Sequence, residues 1–339
     1  MSNERLRIFT WHIHGNYLWY LSQANCDFYI PYKPGPYEGY VGRGTSFPFG
    51  DNVHEIPADQ VHEHEFDCVL FQTRKNYVQN QYEIFSDAQL ALPSVYLEHD
   101  PPQEHPTDQM HWYDNPNGLL VHVTAFNALM WNSGQTPTRV IDHGVIIPPN
   151  VRYTGELARG IVVVNNLAFR GRRLGIDIFQ HMREHVPLDL VGMAAEELGG
   201  LGVIANTELA AFESHYRFLF NPIRYTSLGL AVCEAMSIGM PIIGLATTEM
   251  TTAIENGVTG FVDTNLDTLI DRANDLLRDP HLARYLGERA RLYALDRFNI
   301  HRFAREWEES FRWVTGIAKQ RLYRAPLEIG ESIWANESP

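Results

Sequence analysis

The chain has 339 residues, 45% hydrophobic and 20% charged, with a formal net charge of −14. That length suits two domains of ordinary size, and the composition suits a protein with sizeable cores while excluding a disordered or fibrous chain. The charge is uneven: residues 1–150 hold seven Lys and Arg against seventeen Asp and Glu, a net of −10, which argues against nucleic acid or an anionic membrane surface as partner.

Short apolar runs alternate with helical patterns along almost the whole chain, the signature of parallel sheets covered by helices. In the first half the pattern predicts strands at Leu6–Thr10, Asp27–Ile30, Asp67–Gln72, Ser94–Leu97, Leu119–Val123 and Thr138–Ile141, with a helix from Tyr17 to Gln23. Segment 31–65, rich in Pro, Gly, His and aromatics, predicts no regular structure, and a long irregular segment in a compact domain is a candidate for function. Ile146-Ile147-Pro148-Pro149-Asn150 reads as a linker. Beyond it, strands are predicted at Gly160–Val164, Leu188–Val191, Phe218–Asn221, Pro241–Leu245 and Gly260–Val262. The helices between and after them are Ile176–Glu184, Leu209–Ser214, Leu230–Ser237, Leu266–Arg278 and Leu282–Asp296. An amphipathic helix at His301–Ala318 and a polar tail, 319–339, end the chain. The expected architecture is α/β: two facing, doubly wound, Rossmann-like domains, 1–148 and 158–310, with 311–339 as helix end and tail.

No apolar run approaches the roughly 18 residues of a membrane span. Met1-Ser2-Asn3-Glu4-Arg5 leads straight into a strand-like run without a signal-peptide pattern. Cys26, Cys68 and Cys233 lie far apart in apolar runs, which reads as reduced core thiols, with neither metal spacing nor a disulfide framework. The expectation is a cytoplasmic protein with at most peripheral membrane contact.

The most informative segment runs from Asn221-Pro222-Ile223-Arg224-Tyr225-Thr226-Ser227-Leu228-Gly229-Leu230 to Glu234-Ala235, and on to Gly239-Met240-Pro241-Ile242-Ile243. It is a strand end, a loop, a glycine at a helix start, and a helix carrying one acid among apolar neighbours. A helix beginning at Gly229-Leu230 offers free N–H groups and a positive dipole end to a diphosphate. Glu234, one turn further in, is placed either to accept the hydroxyls of a ribose or to face solvent. Three arginines, Arg170, Arg172 and Arg173, follow the first strand of this half and supply the charge that a departing diphosphate needs. A solvated charge run is the competing reading.

This segment resembles the donor-site signature of the family-4 glycosyltransferases, Pro-Ser-x-x-Glu-Gly-Phe-Gly-Leu-x-x-x-Glu-Ala-x-x-x-Gly-x-Pro-Val-Ile. Pro222, Gly229, Leu230, Glu234, Ala235, Gly239, Pro241 and Ile243 fall in register, and Ile254-Glu255-Asn256-Gly257-Val258-Thr259-Gly260-Phe261-Val262 is similar to the family's downstream run. The resemblance implies the GT-B architecture, a nucleotide-sugar donor (UDP- or GDP-linked) bound by the second domain, and no metal or other cofactor. It implies ribose binding by Glu234 and diphosphate binding by the arginines and the Gly229-Leu230 helix start. The chain departs from the family at Thr226, where an acid is usual near the donor sugar, at Ser227-Leu228 in place of Gly-Phe, and at Asn165-Asn166 in place of Gly-Arg.

In the first half, Glu98-His99-Asp100-Pro101 ends a strand whose carboxyl end points into the crevice where such folds bind ligands. By the resemblance His99 contacts the sugar or orients the acceptor, with Asp100 beside it as the second catalytic candidate; a histidine that merely caps the strand is the alternative. Gly15, in the first strand–helix turn, is expected to let the backbone approach the donor, and His12 and His14 are acceptor-site candidates. They alternate, so only one shares the face of Thr10. His143-Gly144-Val145 reads as structural. His62, Glu63, His64 and Glu65 read as a solvated loop rather than a metal site.

The function implied is transfer of a hexosyl group to a hydroxyl acceptor, a glycan or small molecule, with retention of configuration. The departures leave a second reading, a non-catalytic partner subunit or binding module of the same fold. A sugar-nucleotide epimerase or phosphorylase fits the signature less well, and a DNA-modifying transferase is disfavoured by the acidic first half.

Overall fold

A computed structural model of the chain describes residues 5–324. The first residues of the N-terminal pattern, Met1 to Glu4, and the last part of the expected tail, 325–339, lie outside the described residues. In order, the first half contains β1 (Leu6–Thr10), α1 (Gly15–Leu21), β2 (Cys26–Tyr32), β3 (Val53–Pro57), β4 (Cys68–Phe71), α2 (Gln81–Ile84), α3 (Asp87–Leu90), β5 (Ser94–Glu98), β6 (Leu119–His122), α4 (Ala125–Met130) and β7 (Thr138–Val140). The second contains β8 (Leu157–Val163), α5 (Leu167–Leu174), α6 (Ile176–His185), β9 (Leu188–Val191), α7 (Asn206–Glu213), β10 (Tyr216–Asn221), α8 (Leu230–Ile238), β11 (Ile242–Leu245), α9 (Met250–Ala253), β12 (Gly260–Asp263), α10 (Leu266–Arg278), α11 (Pro280–Arg297) and α12 (Ile300–Arg324).

The strands form two wholly parallel sheets, ordered β3-β2-β1-β4-β5-β6-β7 and β12-β11-β10-β8-β9. In each sheet the winding reverses beside its first strand, between β1 and β4 and between β8 and β10. A crevice opens at the carboxyl ends of the strands at such a point. The central strands β4, β5, β6 and β10 are buried at every residue, as strands covered by helices on both faces must be. β7, the edge strand, leaves Thr138 and Val140 exposed. The three cysteines are free and buried in the core.

Six of these elements were not foreseen: the short helices α2, α3, α4 and α9, of four to six residues each, and β3 and α5. Within segment 31–65, β3 pairs with β2 at Phe28–Val53 and is anchored by Asn52, whose amide donates to the carbonyls of Ser22 and Cys26, each at 2.9 Å. Its His54, Glu55 and terminal Pro57 hide the strand pattern. α5 holds the arginine cluster, which the sequence presents as a charged loop. It starts after Asn166 in the left-handed region (φ 54°) and kinks at Gly171.

α12 returns from the second sheet to the first. Phe303 fills the space above Gly144, which admits no side chain; the Trp307 indole donates to the Tyr17 hydroxyl at 3.1 Å; and Phe311 meets Phe28 edge-on. The helix extends to Arg324, past the predicted end at Ala318. No helix among the described residues is long and apolar enough to cross a membrane.

Candidate active site

The first wall of the crevice is built on the ends of β1, β4 and β5. Gln72, after β4, donates its amide to Thr10 Oγ1 (3.0 Å) and the Trp11 carbonyl (2.9 Å), which turns its oxygen toward His99 Nε2 at 3.4 Å. His99 packs edge-on against Tyr17 and at a tilt against His14, ring centroids 5.0 and 4.1 Å apart. Burial, and then the neighbouring His14 and His143, push the His99 imidazole well below its ordinary range, so it is neutral. The adjoining turn is held at both carbonyls: Asn127 donates to that of His99 (3.2 Å) and the Trp131 indole to that of Asp100 (2.8 Å).

The second wall is α5, the 221–229 loop and the start of α8. Gly175, between α5 and α6 at φ +81°, lies so close to the Pro222 carbonyl that a Cβ would collide with it. The Arg173 carbonyl accepts the N–H groups of Arg224 (3.0 Å) and Tyr225 (3.2 Å), which ties the arginine helix to the loop. The three arginines then differ. Arg172 is exposed and paired with Asp177 at 2.6 Å; Asp177 also takes both ends of the Arg224 fork, and Arg224 holds its carboxyl down at about 2. Among the described residues the guanidiniums of Arg170 and Arg173 make no hydrogen bond or ion pair. Burial and the like charge of Arg173 lower Arg170, while Asp100 across the crevice acts in the opposite sense. α8 opens at Gly229 without a side-chain cap, leaving its first N–H groups to other partners.

The two walls touch through polar groups. Thr226 Oγ1 donates to Asp100 Oδ1 at 2.6 Å. Glu234 Oε1 accepts from Asn16 (2.8 Å) and from the Tyr20 hydroxyl (2.7 Å), both on α1, and Asn206 bonds Asn16 at 3.2 Å. Glu234 is buried rather than facing solvent, which pushes its carboxyl upward although Tyr20 and Asn16 oppose the shift. His143 is bonded through Nε2 to the Leu228 carbonyl at 2.8 Å, so the residue read as structural braces the loop before Gly229 from the opposite half.

The structure therefore brings His14, His99, Asp100, Arg170, Arg173, Thr226 and the Gly229-Leu230 helix start to one crevice, with Glu234 behind α8's first turn. It does not bring His12 there: the ring is tied to the Gly42 carbonyl (2.5 Å) and packed against Phe47 and Phe49. Above Gly15 a Cβ would collide with Phe47, so tight packing of the 39–49 loop already accounts for that glycine. Arg172 is spent on Asp177. Asn16, Tyr20 and Gln72 went unnoticed, since nothing in a lone Asn, Tyr or Gln marks it; the helical spacing of Asn16 and Tyr20 on one face was the available signal. His62 and Glu63 are exposed on the surface, and His62 to Glu65 do not gather as a ligand set. A trio whose ligand atoms do lie within 4.8 Å of one another, His181, Glu184 and His185, sits on the outer face of α6.

Residues 201–293 match the sequence profile of the family described as glycosyl transferases group 1. N-acetyl-alpha-D-glucosaminyl L-malate synthase of Bacillus anthracis is 36% identical over 84 residues, 24% of this chain; the match spans only 22% of that protein's length. Among solved structures, Anabaena Alr3699/HepE in complex with UDP and glucose superposes with a TM-score of 0.67 at 14% identity, covering 91% of this chain and 100% of that one. Sucrose-phosphate synthase from Thermosynechococcus elongatus gives 0.61 at 16% identity, covering 95% and 100%. At such identities the structural likeness speaks for the fold, two facing parallel sheets in the GT-B arrangement. The sequence likeness to glycosyl transferases group 1 is carried by residues 201–293, within the second sheet's half of the chain.

Proposed function

We propose that the chain transfers a hexosyl group from a nucleotide-sugar to a hydroxyl acceptor, with retention and without a metal ion, the second domain (158–310) binding the donor and the first (1–148) the acceptor. The observation that carries this is the pair of unspent guanidiniums, Arg170 and Arg173, beside the uncapped start of α8. Two like charges left without partners in a half-enclosed crevice favour an anion between them. A leaving diphosphate is such an anion, and its charge grows as the glycosidic bond breaks, so fixed cations and helix N–H groups lower the barrier where a metal would otherwise serve. Glu234 is the group for the ribose hydroxyls, through the oxygen that Asn16 and Tyr20 leave open. Neutral His99, with its Nε2–H turned to Gln72, has Nδ1 left to accept a hydroxyl proton from sugar or acceptor, and His14 lines the acceptor side. UDP is the first nucleotide to try, since the Anabaena relative was solved with it.

A second reading, a non-catalytic member of the fold, is favoured by Thr226, where the family's acid is missing. One experiment separates the two. UDP-, GDP-, ADP- and dTDP-sugars are titrated by thermal shift and calorimetry against wild type, Arg170→Ala, Arg172→Ala and Glu234→Gln, and donor hydrolysis is followed without acceptor. The expected outcome is one nucleotide that stabilises the wild type, binds Arg170→Ala about tenfold or more weakly and Arg172→Ala within about twofold, as loss of a charged hydrogen bond predicts. Slow hydrolysis of that donor supports the enzyme; binding without any turnover supports the partner subunit. No binding by the wild type sinks the donor-site assignment.

A further inference from the structure

Glu98, the last residue of β5, is a buried acid that the chemistry above leaves unused. Its Oε1 accepts the backbone N–H of Asp100 at 2.9 Å, and its Oε2 lies 3.1 Å from Nε2 of His111. The other ring nitrogen of His111 accepts the backbone N–H of Tyr113 at 3.0 Å. A backbone N–H can only donate, so Nδ1 carries no proton and Nε2 of the neutral ring must carry one. The bonds therefore run one way, from Tyr113 N–H into His111 and from His111 into Glu98. A carboxylate with two acceptor oxygens is the form of Glu98 that satisfies both His111 and the N–H of Asp100.

We propose that Glu98 is a positioning residue: together with His111 it fixes the His99–Asp100 turn, so that Asp100 presents its carboxylate to Thr226 and to the donor sugar. The proposal rests on the transferase reading. Glu98 faces His111 from segment 109–113, His122 paired with it on β6, and Asp100 on its own turn, while Arg74 stands beyond Trp112. Burial pushes Glu98 up to about 8, and the same cause pushes His122 down to about 3, so His122 stays neutral while Glu98 titrates. Protonation of Glu98 leaves one carbonyl oxygen for the two donors, His111 Nε2–H and the Asp100 N–H, so one of the two bonds is given up and the turn loosens. Turnover is thus expected to fall as pH drops through the raised range of Glu98.

The test compares Glu98→Gln, His111→Leu, His111→Gln and the double variant Glu98→Gln/His111→Leu. A glutamine has one oxygen for two donors, so Glu98→Gln is expected to lower kcat by roughly tenfold, in the range of a misplaced catalytic group, with nucleotide affinity unchanged and the acid limb of the kcat profile gone. His111→Leu should lose as much, the double variant no more than either single, and His111→Gln, which keeps an N–H for Glu98, should retain most of the activity. Wild-type kcat and pH profile in Glu98→Gln, single losses that multiply in the double, or a parallel loss of nucleotide binding would overturn the proposal. Nitrogen-15 spectra of the wild-type histidines at about pH 9.5, above the raised range of Glu98, give an arm independent of turnover: His111 is expected as the neutral Nε2–H tautomer, and any other state removes its bond to Glu98. If the wild type turns over no donor, the transferase reading falls and the positioning role with it, and the histidine spectrum alone decides whether the His111–Glu98 bond exists.

Discussion

Thr226 marks the sharpest departure from the family pattern, and its partner decides what the departure means. With its hydroxyl on Asp100 Oδ1 at 2.6 Å, the crevice keeps a carboxylate at this point, supplied by the opposite wall. Restoring the family's acid would then set two carboxylates against each other, where one must take a proton or the walls must part. Thr226→Glu is therefore expected to reduce turnover by about tenfold or more, and Thr226→Val, which forfeits a single hydrogen bond worth about 1 kcal/mol, by less. Initial rates of donor hydrolysis and of transfer check this; a Thr226→Glu variant faster than wild type would show that Asp100 does not stand in for the missing acid. The threonine was visible in the sequence as a gap in a pattern. Asp100 was visible only as half of a His-Asp pair, and that the two share a hydrogen bond across 126 positions was not.

At the scale of elements, regular strands and apolar helices were legible because burial on both faces of a parallel sheet demands continuous apolar runs. β4, β5, β9, β10 and β11 fall within a residue or two of their predicted limits. What failed lacks a readable period: α2, α3, α4 and α9 are helices of four to six residues, and α5 and β3 are held by what they touch. α5 is short, mostly charged on its outer turn and broken at Gly171, and it is fixed by carbonyl contacts to the 221–229 loop. Gly175 is the pivot of that arrangement. At φ +81° and against the Pro222 carbonyl it tolerates no side chain, so Gly175→Ala meets both a left-handed backbone penalty of about 1 kcal/mol and a clash with backbone that cannot rotate away. The expected result is a loss of about 2 kcal/mol or more in unfolding free energy, together with weaker nucleotide binding because the loop and the arginine helix shift together. Denaturant unfolding and nucleotide titration of the same variant check both halves; a destabilised protein with unchanged affinity would mean that the loop holds its shape without α5.

For the whole molecule, the two halves are joined by groups whose charge depends on pH or on partners. Arg297 spans Asp142 at 3.1 Å and Glu249 at 2.6 Å, and Glu249 also accepts the N–H of Phe126, so the two halves are clamped here by ions. Elsewhere the interior holds titratable groups in neutral form. Burial lowers His143 to about 4 and His122 to about 3, and neither ring nitrogen of His122 has a partner. Both lie below the unfolded value near 6.5, so between there and the folded values the unfolded chain binds more protons. Stability is full above about pH 6.5 and is lost as pH falls, by about 3 kcal/mol for each such histidine at pH 4. Glu213, with both oxygens buried and unpartnered beside Glu234, and Glu98 are raised instead. Their contribution is present at low pH and is lost as pH rises from the unfolded carboxyl range, ending near pH 8 for Glu98. The opposing limbs narrow the stable range from both sides. His122→Leu removes two unpartnered ring nitrogens from an apolar site, so it is expected to raise stability at pH 7 by about 1 kcal/mol and to flatten the acid limb while leaving the alkaline one unchanged. Melting temperatures of wild type and variant from pH 4 to 9 decide this. Parallel curves would show that His122 is solvated or charged in the folded protein, and that the acid limb belongs to His143 and the ion pairs of Arg297.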